Sequence, residues 1–322
     1  MKKNEIKKIR FDKVCDDWLA YKKPIIKEST YLNYAFTIKK RFEKDFENKT
    51  IDYFFHYDLN HYIELLQEKL SNKTIREHIT IFKSILKYAE RKYDFDFKLD
   101  LVSLPKADSK QLEIFSDNEV KKIENYIINS KDFKNLGVLI SLYAGLRIGE
   151  VCALRWCDID FDKKLLNVTH TLQRVYAGYN NTKVVYTLPK TKHSIRKIPI
   201  SKSLYTILRN YKKYFKSDSY ILTGKTEHCL EPIAYRYTYK KILHDCLINY
   251  KNFHCLRHTF ATRCIRVGMD VKSLSEILGH SNVSITLEIY VHSSFEIKKK
   301  FIDKLFELIL YLLFSNINYY FK

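Results

Sequence analysis

Glycine is scarce in this chain, with only seven among 322 residues. Loops that cradle the phosphates of bound nucleotides contain several closely spaced glycines, because the backbone itself must approach the phosphate. The sequence therefore excludes a P-loop and a dinucleotide-binding loop.

Paired cysteines and long apolar runs are also absent. The seven cysteines are an odd number and form no CxxC pair, which argues against a disulfide framework and against a zinc site. The N-terminal segment MKKNEIKKIRF has no apolar signal region. The longest apolar run, LFELILYLLF, is too short to span a bilayer and contains Glu307. We therefore expect a cytoplasmic protein with reduced thiols and no membrane partner.

Positive charge, in contrast, is abundant. Lysine and arginine number 57 against 37 acidic residues, which gives a net charge of +20 spread along the whole chain. A hydrophobic content of 46% is typical of a globular protein. A folded protein this basic usually binds a polyanion, and nucleic acid is the first candidate. The alternative is charge that serves only solubility.

Residues 11–100 are predicted to form a helical domain. In KTIREHITIFKSILKYAERKY, apolar residues recur at steps of four and three, which places them on one face of a helix. This stripe consists of Ile75, Ile79, Phe82, Leu86, Ala89 and Tyr93. Pro105 and the polar residues after it resist a helix, so we place a linker at 101–112. Residues 1–10 are a short basic segment.

A second domain is predicted over residues 113–300. Ser116 and Glu119 form a capping box, which predicts that a helix begins there. The segments KKLLNVTHTLQRVY, TKVVYTL and IRKIPI are rich in β-branched and aromatic residues and predict a small antiparallel sheet of about three strands. The remainder has a helical pattern. The predicted fold class is therefore mainly α with a small antiparallel sheet.

Two basic positions in the second domain are candidates for contact with an anion. In AGLRIGE, Gly145 is expected to end a helix, which places Arg147 near the N-terminus of the next, where anions are favoured. Lys190 and Lys192 lie in the predicted turn of LPKTKHSIRKIPI, where a lysine can donate a proton to a leaving oxygen. Taken alone, such residues are more often a surface ion pair and ordinary turn lysines.

The stretch HCLRHTFATRC places His254 and Arg257 three residues apart, and hence on one face of a helix. A zinc-binding helix would favour HExxH, and the cation here disfavours a divalent metal. His258 follows on an adjacent face, where a capping or core histidine is an alternative. This pattern favours an anion over a metal.

A further histidine and a tyrosine follow in DVKSLSEILGHSNVSITLEIYVH. Asp270 is expected to cap a helix that runs through Leu278 and ends at Gly279. His280 then lies just beyond a helix end, and Tyr290 lies ten residues later.

The combined pattern closely resembles the tyrosine recombinase (phage integrase) family, and in wording the integrases of Gram-positive phages and conjugative transposons. The matching segments are AGLRIGE, PKTKHSIRKIPI, HCLRHTFAT, LGHSNVSIT and EIYVH, in the family's order and spacing. The resemblance covers residues 10 to 300 and implies an all-α core-binding domain followed by an α+β catalytic domain of the DNA breaking-rejoining type.

The resemblance also implies a role for each residue. Tyr290 would attack a DNA phosphodiester and form a 3′-phosphotyrosine. Arg147 and Arg257 would stabilise the charge of the transition state. Lys190 would protonate the leaving 5′ oxygen, with Lys192 as the alternative. The two histidines would act at the tyrosine proton (His254) and at the scissile phosphate (His280).

By the same resemblance, the chain would need no metal or other cofactor, because the phosphotyrosine bond conserves the energy of the bond that is broken. Its partners would be double-stranded DNA at specific sites and three further copies of itself in a tetramer. A directionality factor or a host bending factor would be additional partners. The expected task is integration and excision of a prophage or other mobile element. The alternatives are a catalytically silent DNA-binding regulator and a type IB topoisomerase.

The tail, residues 301–322, carries apolar residues at helical spacing. They are Leu305, Leu308, Ile309 and Leu312. A helix of this kind could dock on a neighbouring protomer or pack on its own domain, and the sequence leaves both open.

Overall fold

The computed structural model describes residues 9–94, 97, 99–106, 112–176, 181–187, 194–290, 299 and 302–304. The chain divides into two compact units, residues 1–111 with 174–185 and residues 112–173 with 186–322. Lys190, Lys192, the side chain of Tyr290 and most of the predicted tail lie outside the described residues. The predicted linker and the exact domain bounds stay predictions.

The first unit contains four main helices, which are α1 (Phe11–Lys22), α2 (Glu28–Thr37), α3 (Leu59–Gln67) and α4 (Asn72–Tyr93). Helix α2 continues through a π-helical turn at Ile38–Phe42. Helix α4 begins at Ser71, whose hydroxyl accepts from a backbone N–H of the first turn, as is usual for a capping serine.

The predicted stripe of α4 is confirmed as the centre of this unit's core. Ile75, Ile79, Phe82, Leu86 and Ala89 are fully buried, while Tyr93 is partly buried. Around them pack rings from other helices of the unit, and Phe82 lies 5.4 Å from Phe11 between ring centroids. The apolar face of one long helix therefore organises the first unit.

The second unit contains eight main helices and a three-stranded sheet, while a further pair of strands is divided between the two units at residues 174–185. The helices are α5 (Asp117–Ser130), α6 (Leu136–Ala144), α7 (Ile148–Ala153), α8 (Lys202–Lys212), α9 (Pro232–Asp245), α10 (His254–Arg266), α11 (Val271–Leu278) and α12 (Val283–Tyr290). The predicted start of α5 is confirmed, because Ser116 and Glu119 form the capping box with hydrogen bonds of 3.2 and 2.7 Å.

The strands form two small sheets instead of the single sheet that the sequence predicted. They are β1 (Ile159–Asp160), β2 (Leu165–Val168), β3 (Thr171–Tyr176), β4 (Thr182–Thr187) and β5 (Arg196–Pro199). Strand β2 lies between β1 and β5, with both pairs antiparallel, and β3 pairs with β4.

The prediction was wrong in two details. The segment KKLLNVTHTLQRVY contains two strands, because Thr169 and His170 interrupt it. Strands β4 and β5, which the sequence predicted to be neighbours, belong to different sheets among the described residues. Composition indicates that a segment is a strand, but pairing depends on neighbours that the local pattern does not specify.

Two glycines end helices of the second unit in the left-handed conformation. Gly145 follows α6 with φ of 67°, and Gly279 follows α11 with φ of 67°. Asp270 caps the start of α11, its carboxylate accepting from Ser273 N at 2.8 Å. Both predicted helix ends are therefore confirmed. None of the helices in the described part of the chain has the length and apolar character needed to cross a membrane.

Candidate active site

The guanidinium of Arg257 lies fully buried between the ends of two helices. Its Nη1 donates to the carbonyl of Gly145 at 2.8 Å, and its Nη2 donates to the carbonyl of Leu278 at 2.7 Å. Both carbonyls lie at helix C-termini, where the helix dipole places partial negative charge and favours a cation. The two helix ends thus fix the position and the plane of this guanidinium.

Arg147 occupies the position predicted for it, at the N-cap of α7. Its Nη1 donates to Glu150 Oε1 at 2.9 Å and to the carbonyl of Leu278 at 3.4 Å. The side chain of Arg147 is 36% exposed, and within the described residues its Nη2 makes no hydrogen bond. Arg147 and Arg257 therefore share the Leu278 carbonyl, and Arg147 keeps donors that can reach a bound anion.

Glu150 is the buried carboxylate that anchors this arrangement. It accepts from the side chain of Arg147, from the backbone N–H of Arg147 at 2.9 Å and from both terminal nitrogens of Arg196. Burial alone would raise its pKa, but the charge and hydrogen bonds of Arg196, followed by Arg147 and Arg257, hold the pKa of Glu150 at about 2. It is ionised at any physiological pH.

His254 is the first residue of α10, and its backbone N–H donates to Asn252 Oδ1 at 2.9 Å. The imidazoles of His254 and His258 meet edge to face, with ring centroids 4.5 Å apart. The residue is exposed to solvent in part, and the charges of His258, Arg257 and Arg147 act on its ring. Partial burial, followed by these positive neighbours, lowers the pKa of His254 to about 3. The ring is therefore neutral, and an unprotonated ring nitrogen can accept a hydrogen bond.

His280 follows the left-handed Gly279 and is half-buried beside α12. Its Nδ1 is 2.8 Å from the hydroxyl of Thr286, which is fully buried. Burial first, and then the charges of Arg257 and Arg147, lower the pKa of His280 to about 4. The Thr286 contact fixes the plane of a neutral ring.

The structure brings four of the six predicted residues to one place. Arg147, His254, Arg257 and His280 all act on one another electrostatically. Tyr290 is the last residue of α12, the helix that also carries Thr286, but its side chain lies outside the described residues. Lys190 and Lys192 lie outside them as well, so the choice between the two stays a prediction.

Glu150 and Arg196 also belong to the cluster, and neither was predicted from the sequence. A signal for Glu150 existed, because it stands three residues after Arg147 at a helix start, which is capping-box spacing. Arg196 lies in the predicted strand IRKIPI, where alternation would place one side chain in two toward the core. The pairing of the two residues is a tertiary contact between positions 46 residues apart, and no local pattern indicates it.

Chemically, this cluster is suited to an anion with more than one oxygen. Three guanidinium groups surround one carboxylate, which leaves a surplus of positive charge beside two neutral imidazoles. Fixed N–H donors in a partly buried place stabilise charge that develops on an anion during a reaction. Within the described ranges, no group of three or more histidine, cysteine or acidic side chains could hold a metal ion.

Comparison with known sequences agrees with this geometry. Residues 104–296 match the phage integrase family, and residues 10–56 match the SAM-like N-terminal domain of phage integrases. A XerC-like tyrosine recombinase of Caldanaerobacter subterraneus subsp. tengcongensis is 33% identical over 72% of this chain and 65% of its own length. The transposase of transposon Tn916 from Enterococcus faecalis is 29% identical over 64% of this chain and 54% of its own length. The chain thus spans between about half and two thirds of these relatives.

Comparison with solved structures shows the fold. The Tn1549 transposon integrase, in a structure with circular intermediate DNA, superposes with a TM-score of 0.73 at 22% identity. The match covers 92% of this chain and 99% of that chain. The predicted fold class, mainly helical with a small antiparallel sheet, is therefore confirmed.

Proposed function

The chain belongs to the phage integrase family, and from this membership we propose that it is a site-specific recombinase that cleaves and rejoins DNA through a 3′-phosphotyrosine. The observation that carries the proposal is the pair of guanidinium groups, Arg147 and Arg257, held on one backbone carbonyl beside two neutral histidines. A DNA phosphate offers two non-bridging oxygens, and two guanidinium groups can bind them together.

In the proposed reaction, cleavage is a single displacement at phosphorus. The hydroxyl oxygen of Tyr290 attacks the phosphorus, and its proton passes to the neutral ring of His254. The bond from phosphorus to the 5′ oxygen breaks, and that oxygen takes a proton from Lys190. Lys192 is the alternative donor. Reversal of these steps by the 5′-hydroxyl of another strand rejoins the DNA and releases Tyr290.

The cationic cluster stabilises the middle of this reaction. A phosphodiester carries one negative charge, whereas the pentacoordinate transition state carries about one more. Three guanidinium groups against one carboxylate leave a surplus of two positive charges among these residues, which matches the transition state better than the ground state. His280, whose ring is held by Thr286, would donate a further hydrogen bond to the phosphate.

The assembly and the biological task complete the proposal. Strand exchange joins two duplexes, so we infer four protomers on two DNA sites, with two active at a time. The Tn916 transposase is among the relatives, which supports integration and excision of a mobile element as the task. Complexes with paired sites should have the mass of four protomers by light scattering, and a persistent mass of one or two would refute the tetramer.

Covalent capture tests the function. The protein is incubated with sheared DNA from its own host and denatured, and DNA that stays attached to protein is isolated and its ends are sequenced. We expect the wild type to capture a narrow set of ends and Tyr290→Phe to capture none while still binding DNA. Binding without capture by either protein would indicate a silent regulator. Steady relaxation of any supercoiled plasmid would indicate a type IB topoisomerase.

A further inference from the structure

Arg196, the first residue of β5, joins three elements of the second unit. Its Nε donates to the carbonyl of Ile277 near the end of α11, and one Nη1 hydrogen goes to the carbonyl of Ser194 at 3.1 Å. The remaining contacts go to Glu150 at the start of α7, from Nη1 at 3.0 Å and from Nη2 at 2.9 Å. The side chain is only 5% exposed, and these four hydrogen bonds use four of its five N–H donors, so a single N–H of Arg196 is left for any other partner.

Arg147 and Arg196 each donate to both carboxylate oxygens of Glu150. Oε1 accepts from Nη1 of Arg147 and from Nη1 of Arg196, at 2.9 and 3.0 Å. Oε2 accepts from the backbone N–H of Arg147 and from Nη2 of Arg196, both at 2.9 Å. The fork of Arg196 therefore sets the plane of the carboxylate, and that plane sets the position of the Arg147 guanidinium.

The contact with Ile277 extends this arrangement to the other arginine. Ile277 precedes Leu278, whose carbonyl accepts from both Arg147 and Arg257. Arg196 thus holds Glu150 through its carboxylate and the end of α11 through the Ile277 carbonyl. These are the two places at which Arg147 and Arg257 form their hydrogen bonds.

We propose that Arg196 is a positioning residue for DNA cleavage, which acts through Glu150 to hold Arg147 in the orientation that binds the scissile phosphate. This inference rests on the proposed function. It assigns a role to a buried arginine that does not touch the DNA.

Because of the charges around Glu150, the positioning role of Arg196 should affect how activity depends on pH. Arg147 on its own helix, Arg196 on β5 and Arg257 on α10 face the carboxylate, and His280 beyond α11 lies close to the same three arginines. Without Arg196, burial still opposes ionisation of Glu150 while the largest attraction is lost, so the pKa of Glu150 rises. A protonated Glu150 has a weaker hold on Arg147. Activity of such a variant should then fall as the pH falls through the raised pKa.

The experiment measures covalent adduct formation on a captured site from about pH 5 to about pH 9, a range that spans the ordinary titration of carboxylates and histidines. The variants are Arg196→Met, Arg196→Lys, and the double variant Glu150→Gln with Arg196→Met, which has no carboxylate to titrate. Arg209→Met is the matched control, because Arg209 is exposed on α8 and bonds only to Tyr205 among the described residues.

For Arg196→Met we expect DNA affinity near that of the wild type and an acid-side loss of rate of about tenfold per pH unit below the raised pKa. The wild type, Arg209→Met and the double variant should lack this added loss, and Arg196→Lys should recover part of the rate. An equal loss at every pH, or none, would overturn the positioning role. Absence of any wild-type adduct would instead overturn the proposed function itself, so the two failures are distinct.

Discussion

At the scale of the residue, Arg257 combines full burial with hydrogen bonds from both of its terminal nitrogens to backbone carbonyls. An arginine that needs two carbonyls in fixed directions uses the planar fork of its guanidinium, which a lysine ammonium does not have. Leaving one of these buried carbonyls without a donor costs about 1–3 kcal/mol. Arg257 therefore contributes to stability and, in the proposed function, also binds the anion.

Arg257→Lys should lower the rate of adduct formation by about 100-fold or more, the usual loss when a transition-state donor is removed. DNA affinity should change far less, because in the proposed complex a single arginine supplies only a small part of the contacts with the phosphate backbone. Rates with the captured site in excess separate the two quantities. Arg263→Lys on the same helix is the control, since Arg263 is partly exposed and pairs with Asp117 at the surface. An active Arg257→Lys enzyme would contradict the role.

The sequence predicted the charged residues that stand in a recognisable pattern. It did not predict the residues that hold them in place. Arg147, His254, Arg257 and His280 were predicted, and the structure brings them together. Glu150 and Arg196 were missed, because a buried ion pair is defined by its partner and the partner is distant in the chain. Thr286 was missed for a similar reason, since the role of its hydroxyl depends on a contact with His280 that only the folded chain forms.

At the scale of the element, the site is built from helix ends. Helices α6 and α11 end at left-handed glycines, and their last carbonyls face Arg257, while α7 begins at Arg147. Gly145 is required for two reasons. Its φ of 67° is costly for other residues, and an added Cβ would meet Phe260 Cδ1 at 2.6 Å.

Gly145→Ala should therefore destabilise the chain by about 2–4 kcal/mol, the sum of a left-handed backbone cost and of overpacking. The free energy of unfolding in urea measures this. Gly268→Ala is the control for backbone cost alone, because Gly268 also has positive φ but is exposed beyond α10. Equal losses for the two variants would mean that the contact with Phe260 adds nothing.

Helices were predicted better than strands. The stripe of α4, the capping box at Ser116 and the stop at Gly279 are local signals, and each is confirmed. The single predicted sheet was wrong, because the choice between β2 and β4 as the partner of β5 depends on residues far apart in the sequence.

At the scale of the whole molecule, the main feature is the excess of positive charge. A net charge of +20 over 322 residues favours a polyanion throughout the chain, not only at the site. If DNA binding neutralises many phosphates, released counterions make the affinity depend steeply on salt.

We expect affinity for duplex DNA to fall by about three to five orders of magnitude between about 50 and about 200 mM salt, as for proteins that contact six to ten phosphates. Filter binding or fluorescence anisotropy on a fixed duplex measures the slope. A nearly flat response would contradict DNA binding driven by phosphate contacts.

In the proposed reaction, Tyr290 becomes joined to the 3′ phosphate of a broken strand. The most direct measurement is mass spectrometry of the denatured adduct after digestion of its protein and DNA, which identifies the modified residue and the end of the strand that it holds. We expect a nucleotide linked through its 3′ phosphate to Tyr290, and a free 5′-hydroxyl on the other fragment. A phosphate on another residue, or a 5′ linkage, would contradict it.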